Sequence, residues 1–266
     1  FAVIETYADR VEALLEWVVD GLAACAELKG VLLRQAHVRL LRGRMPTRDL
    51  VVQENGLRMY VDLAAGQKTG LYFDQRENRL SLANWCRGRS VLDCFCYVGA
   101  FSLYALRGGA ASLTACDAAR AAIEAAKHNF TLNGFDPAAQ ELVVGDCFDL
   151  LERLAAEGRR FDVVILDPPS FARDRSSRRA AERAYVRLNQ MALACVEPGG
   201  LLASASCTSQ ISPESFRRTL AEAARRAGRR LVTMHEAGQA VDHPVPAHFP
   251  EARYLKFIVS RVSLHL

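Results

Sequence analysis

The sequence predicts an α/β protein, a doubly wound seven-stranded sheet preceded by a small α/β domain. Three observations carry this. From Ser90 onward the chain repeats strand, turn and helix, the rhythm of a sheet with helices on both faces. The run Val163-Val-Ile-Leu166 is apolar without alternation, as in a short strand buried on both faces. It stops at Asp167, because Pro168-Pro169 forbids both a continued ladder and an immediate helix. Third, four consecutive strands end in, or one residue short of, an acid: Asp93, Asp117, Asp146 and Asp167.

The elements follow in order. Val11, Leu14, Leu15, Val18, Val19 and Leu22 lie at the spacing of one apolar face, predicting a helix over 7–28. Val31–Arg34 suits a strand, and the basic stretch Arg39–Asp49, with Gly43 and Pro46, suits a loop. Leu50–Gln53 and Leu57–Leu63 flank Asn55-Gly56, a hairpin signal, since type I′ turns need positive φ at both central residues. The small domain is expected over 1–80 and faces the substrate; its tail Gly66–Arg76 is too polar and glycine-rich for a plain linker. The second domain, 81–266, takes strands at Ser90–Cys94, Ser112–Cys116, Glu141–Gly145, Phe161–Leu166, Leu201–Ser206, Leu231–Met234 and Tyr254–Ser260. Helices are expected at Phe101–Arg107, around Ala119–Phe130 with Asn133-Gly134 as its stop, near 180–195, and from Ser212-Pro213 to Gly228.

Bulk properties narrow the class. With 266 residues, 50% of them hydrophobic, the chain can bury a sizeable core. No apolar run approaches the ~18–20 residues that span a bilayer, so no membrane association is expected. Eight cysteines occur without a Cys-x-x-Cys pair, which favours a reduced, cytoplasmic chain over a disulfide or zinc scaffold. No second ligand stands at metal spacing from His243, so no metal is expected. The chain opens on Phe1 rather than Met, and a preceding segment is expected to be missing from it.

In a parallel sheet the four acids converge on one rim, where open α/β sheets bind ligands. Each alone could be a cap or turn residue. The first turn, Asp93-Cys-Phe-Cys-Tyr-Val-Gly99, lacks Gly-x-Gly-x-x-Gly, which disfavours a pyrophosphate cradle and a dinucleotide oxidoreductase. Gly99 still lets a ligand approach the backbone. Asp117 stands where a ribose-binding acid belongs, and Asp146 could accept from an adenine amino group. A nucleoside held by carboxylates fits S-adenosylmethionine.

The order Asp93…Gly99, Asp117, Asp146, Asp167-Pro-Pro169 resembles the class I S-adenosylmethionine-dependent methyltransferases, with their Rossmann-like sheet. Gln67-Lys-Thr-Gly70, Asp74-Gln-Arg76, Asp167-Pro-Pro-Ser-Phe171, Ser206-Cys207-Thr208 and Asp242-His-Pro244 look more narrowly like the PUA-linked 23S rRNA cytosine-C5 methyltransferases, from roughly residue 50 to the end. No counterpart of that family's N-terminal PUA domain is visible, and Ser170 stands where relatives often carry Lys. The resemblance implies an enzyme acting on large-subunit rRNA, with Cys207 as the thiol that adds to C6 and Asp167 holding the base edge. It also implies cofactor contacts from Asp93, Phe95, Tyr97, Gly99, Asp117, Asp146, Cys147, Asp167 and Pro168, with Thr69, Asp74 and Arg76 folding over the ligand.

Arg173, Arg175, Arg178, Arg179, Arg183 and Arg187 follow the Asp167 turn directly. A solvated helix face is their bland account; their position favours phosphate contacts, so Arg173, Arg175, Arg178 and Arg179, with His243, are candidate RNA-binding residues. Two rivals stay open: methylation of a base nitrogen, which needs no thiol, and a cofactor-binding RNA module without catalysis, which a deeply buried Cys207 would favour. The sequence leaves the oligomeric state open, a homodimer included.

Overall fold

The computed structural model describes all residues except 7–8, 36, 48–49, 64–65, 67–68, 173, 175, 250–251 and 265–266. The chain divides into two compact units, Phe1–Tyr72 and Phe73–Leu266.

In the first unit, β1 (Ala2–Glu5) runs parallel to β2 (Gly30–Arg34), and β2 pairs antiparallel with β3 (Val38–Gly43). Strand β3 replaces the front of the expected basic loop. Its arginines need no interior: Arg39 pairs with Glu12 and Arg42 with Asp20, each at 2.5 Å on the surface. The expected helix over 7–28 is shorter and split, a 3-10 segment Asp9–Leu14 followed by α1 (Leu15–Cys25). Only Leu15 and Val19 of the proposed stripe are buried in α1, while Leu14 and Val18 are exposed. The hairpin is present: β4 (Val51–Glu54) and β5 (Leu57–Tyr60) pair across Asn55 and Gly56, at φ 49° and 83°.

The second unit holds a seven-stranded sheet built from β6 (Ser90–Cys94), β7 (Ser112–Asp117), β8 (Glu141–Val144), β9 (Phe161–Leu166), β10 (Val196–Ser206), β11 (Arg229–Ala237) and β12 (Lys256–Leu264). Their order is β11-β12-β10-β9-β6-β7-β8. All pairings are parallel except those of β12, which runs antiparallel to both neighbours. Chain order reverses at β6, whose neighbours are β9 and β7, so the crevice for a ligand opens there. Val163–Leu166 has no exposed surface, as its unbroken apolar run requires.

Among the described residues, six helices accompany the sheet: α2 (Arg76–Ala83), α3 (Ala100–Arg107), α4 (Arg120–Leu132), α5 (Cys147–Ala156), α6 (Arg178–Ala194) and α7 (Pro213–Arg226). Two were not assigned from sequence, α2 and α5. Ser212 caps α7 by accepting from the Ser215 N–H at 3.1 Å, with Pro213 at its first position. The Pro198-Gly199-Gly200 turn lies inside β10 as a register shift against β9. No helix among the described residues is long and apolar enough to cross a membrane.

Candidate active site

Asp93 ends the strand at the switch point and is completely buried. Its Oδ2 accepts from the Ser102 hydroxyl at 2.6 Å, while Oδ1 has no hydrogen-bond partner. Burial pushes its carboxyl up to about 7; the Ser102 bond pulls it down, and the charges of Asp167 and Asp117 add to the rise.

The loop after β6 is wound tightly. Phe95, Tyr97 and Gly99 all have left-handed φ, 64°, 48° and 75°; for aromatic residues this is strained backbone that the surroundings must hold. They do so through the loop's own N–H groups. Phe95 N donates to Cys147 Sγ at 3.2 Å, Cys96 N to the Cys116 carbonyl at 3.0 Å, and Tyr97 N to Asp117 Oδ2 at 3.0 Å. Asp117 Oδ1 accepts from Ala119 N at 2.9 Å, so each oxygen retains a lone pair for another donor. Asp146 caps α5, its Oδ1 accepting from Phe148 N at 2.7 Å and Asp149 N at 3.3 Å. Gly99 also carries a packing constraint. A Cβ there would lie 2.9 Å from Ala126 Cβ and 3.0 Å from the Phe130 ring, so glycine serves packing against α4 as well as the positive φ. Cys147 is buried and spends its sulfur on the loop.

Across the crevice a second cluster forms from residues distant in sequence. Gln75 Nε2 donates to Asp167 Oδ1 at 3.0 Å, and Asn78 Nδ2 donates to Gln75 Oε1 at 2.6 Å and to the Gly238 carbonyl at 3.1 Å. Asn78 thus fixes which end of the buried Gln75 amide faces Asp167, and that carboxylate oxygen must accept. Cys207 follows β10, the strand beside β9, and is partly exposed, whereas Cys86, Cys94, Cys96, Cys116, Cys147 and Cys195 are buried. Burial pushes the Cys96 thiol well up, and Cys86 up to about 12. Next to Cys207, Thr208 Oγ1 shares hydrogen bonds with the Tyr185 hydroxyl at 2.9 Å and Ser170 Oγ at 3.0 Å. Ser170 also donates to the Ala172 carbonyl at 2.8 Å, and its bond with Thr208 ties the Pro-Pro turn to the Cys207 turn. Tyr254 donates to Asp74 Oδ2 at 2.7 Å, while the buried Asp74 Oδ1 has no partner. Rings of Phe148, Phe171 and Tyr185 line up beneath, with centroids 6.4 and 4.7 Å apart.

Gln75, Asn78, Tyr185, Tyr254 and Lys256 were missed from sequence. For Gln75 a signal existed, its place in the unusually polar Asp74-Gln-Arg76; Asn78 sits in a stretch given no element from sequence, and Tyr185, Tyr254 and Lys256 in stretches that read as plain helix or strand.

Other candidates are placed elsewhere. Arg76 pairs with Asp242 at 2.7 Å, and His243 Nδ1 lies 2.9 Å from Asp242 Oδ1; these two partners hold the Asp242 carboxyl down at about 2. Thr69 belongs to the first unit, where its hydroxyl donates to the Leu71 carbonyl at 3.3 Å. Arg178 bonds Glu182 and Ser215, and Arg187 lies 5.5 Å from the Phe148 ring centroid. Arg179 and Arg183 are exposed, with no ion pair among the described residues. Arg173, Arg175, Gln67 and Lys68 lie outside the described residues.

Residues 34–250 match the sequence profile of the S-adenosylmethionine-dependent methyltransferases. The chain belongs to that family. Among curated relatives, the ribosomal RNA large subunit methyltransferase I of Shewanella denitrificans is 41% identical over 84% of this chain, and that of Yersinia pestis 40% identical over 84%. The chain spans 56% of the length of each. Among solved structures, SMU.776, assigned as a methyltransferase and crystallised with SAH, superposes with TM-score 0.88 at 25% identity, covering 97% of this chain and 68% of that one. Trm5b from Pyrococcus abyssi shares the fold, with TM-score 0.71 at 18% identity, covering 98% and 72%.

The residues present fit the cofactor that this methyltransferase family uses. S-adenosylmethionine carries a sulfonium and an ammonium, both cations, and the buried, unpartnered Asp93 Oδ1 at the switch point is a group whose ionisation a cation favours. The spare lone pairs of Asp117 suit ribose hydroxyls.

Proposed function

We propose that this protein transfers a methyl group from S-adenosylmethionine to C5 of a cytosine in large-subunit rRNA, in the cytoplasm, through a cysteine adduct at C6. The observation that carries this is Cys207, the partly exposed thiol of the second unit, at the end of the strand beside Asp167. The names of the curated relatives point to the same substrate.

The chemistry needs a nucleophile because C5 of cytosine is a weak one. The cofactor supplies an electrophilic methyl group. Cys207 Sγ adds as thiolate to C6, and the electron pair of the C5–C6 bond moves to C5, which can then take the methyl. Loss of the C5 proton and expulsion of the thiolate restore the ring. Asp167, held as an acceptor by Gln75, accepts from the exocyclic amino group and distinguishes cytosine from uracil, whose carbonyl there donates nothing. The base must leave its stack, since sulfur approaches the ring face. Arg179 and Arg183 contact phosphates, a reading supported by their exposure on the helix that follows the Asp167 turn; Arg178 and Arg187 keep partners within the protein. Asp93, Asp117 and Asp146 bind the cofactor, with Asp146 also capping α5.

Replacing Cys207 with Ala should abolish methylation and leave cofactor binding intact by calorimetry. The wild-type chain should form a covalent adduct on RNA carrying 5-fluorocytosine, whose fluorine blocks the final elimination. Methylation by the alanine variant near the wild-type rate would overturn the C5 reading in favour of a base nitrogen.

A further inference from the structure

Lys256 opens β12 and is 2% exposed. Its backbone is paired with Ser206, and its Nζ donates to the Thr208 carbonyl at 2.6 Å and the Tyr254 carbonyl at 2.8 Å. The side chain therefore runs from the residue before Cys207 to the residue after it. Both acceptors are neutral, and among the described residues no carboxylate lies within ion-pair distance of the ammonium. A buried ammonium without an anion is costly and tends to lose its proton. A site that keeps one must supply a negative charge, and the ionisable side chain inside this bracket is Cys207.

We infer that Lys256 is a positioning residue for Cys207, its buried ammonium stabilising the thiolate and its two hydrogen bonds fixing the strand end that carries it. This rests on Cys207 being the nucleophile. The ionisation is Cys–SH to Cys–S⁻ with the proton passing to water; the ammonium keeps its own protons. The other titratable groups facing the thiol cannot do this. Tyr185 on α6 is pushed up to about 12 by burial, and Tyr254 is pushed up by burial and by its bond to Asp74, so both stay neutral. Asp167 beyond β9, and Asp74 behind Tyr254, oppose a second negative charge. Burial lowers Lys256 to about 8, and the Cys207 charge raises it.

The test is alkylation of Cys207 by iodoacetamide across pH in the full chain, read by peptide mass spectrometry. Exposed Cys25 serves as internal reference. Lys256→Met should raise the pH midpoint for Cys207 by about one unit, roughly tenfold slower alkylation at neutral pH. Cys25 should be unchanged, and Lys256→Arg should restore most of the rate. An identical Cys207 profile in wild type and Lys256→Met overturns the inference. Because Lys256→Met can also disturb folding, the converse is measured in a chain with native Lys256. NMR of ¹³C-labelled lysine should show the Lys256 midpoint falling in Cys207→Ala, and an unmoved midpoint is equally fatal. Neither readout needs RNA or methyl transfer. A failure here therefore leaves the C5 mechanism to the methylation assay, and a failure there leaves the thiol–ammonium pair to this one.

Discussion

The two sides of the crevice are built differently. On the β7–β8 side, two acids are satisfied by backbone N–H groups: Asp117 by Tyr97 and Ala119, Asp146 by Phe148 and Asp149. On the β9–β10–β12 side, the groups nearest Cys207 are held by side chains: Asp167 by Gln75, Thr208 by Tyr185, and the Thr208 carbonyl by Lys256. Backbone donors shape a loop whatever ligand enters it, whereas side-chain donors fix the charge and direction of one reacting group. On the proposed function, the first side holds the cofactor and the second presents a base to the methyl.

The division is testable by asking which quantity each substitution moves. The largest effect on the cofactor side is expected from Asp117→Ala. It removes the side-chain acceptor of two backbone N–H groups and the proposed ribose partner, and a hydrogen bond to a charged group contributes about 1.5–3 kcal/mol. Affinity for S-adenosylmethionine measured by calorimetry should fall by roughly 100-fold, with the strained Phe95–Tyr97 turn loosened. Unchanged affinity would break the comparison on this side.

Gln75→Leu is the matching change across the crevice. It removes one donor to an ionised acceptor, so kcat should fall by roughly 10–100-fold. The cofactor Kd should stay within about twofold, since the amide spends its bonds on Asp167 and Asn78. Equal losses in kcat and cofactor affinity would merge the two sides into one site.

Asp93, between the two, gives the smallest and most diagnostic effect. Without ligand its carboxyl titrates at about 7, and a cationic ligand binds the ionised form. Cofactor affinity should therefore rise by roughly tenfold between about pH 6 and 8 and level off above, and Asp93→Asn should abolish that slope. Stability runs the other way. A carboxyl raised in the folded state contributes stability that is complete below its ordinary range and lost as pH rises through about 7. Thermal unfolding of the ligand-free protein should show wild type, but not Asp93→Asn, losing stability across that window.

The sequence by itself determined the pieces whose cause is local. An unbroken apolar run makes β9 a buried strand, Asn55-Gly56 turns the first hairpin, Ser212-Pro213 starts α7, and Gly134 and Gly228, at φ 79° and 63°, end helices. The acids at the strand ends were legible for the same reason, since where a strand stops depends on neighbouring residues. Tertiary structure alone decided the rest. Strand β12 lies antiparallel between β10 and β11, β3 forms because β2 offers an unpaired edge, and Val18, on a regular apolar stripe, faces solvent. The proposed reacting cluster belongs here too. Gln75, Asp167, Cys207 and Lys256 come from four stretches that meet only when the sheet is assembled. Whether a lysine is a solvated cation or a buried one bracketing a thiol depends on what packs over it, and its neighbours in sequence do not carry that information.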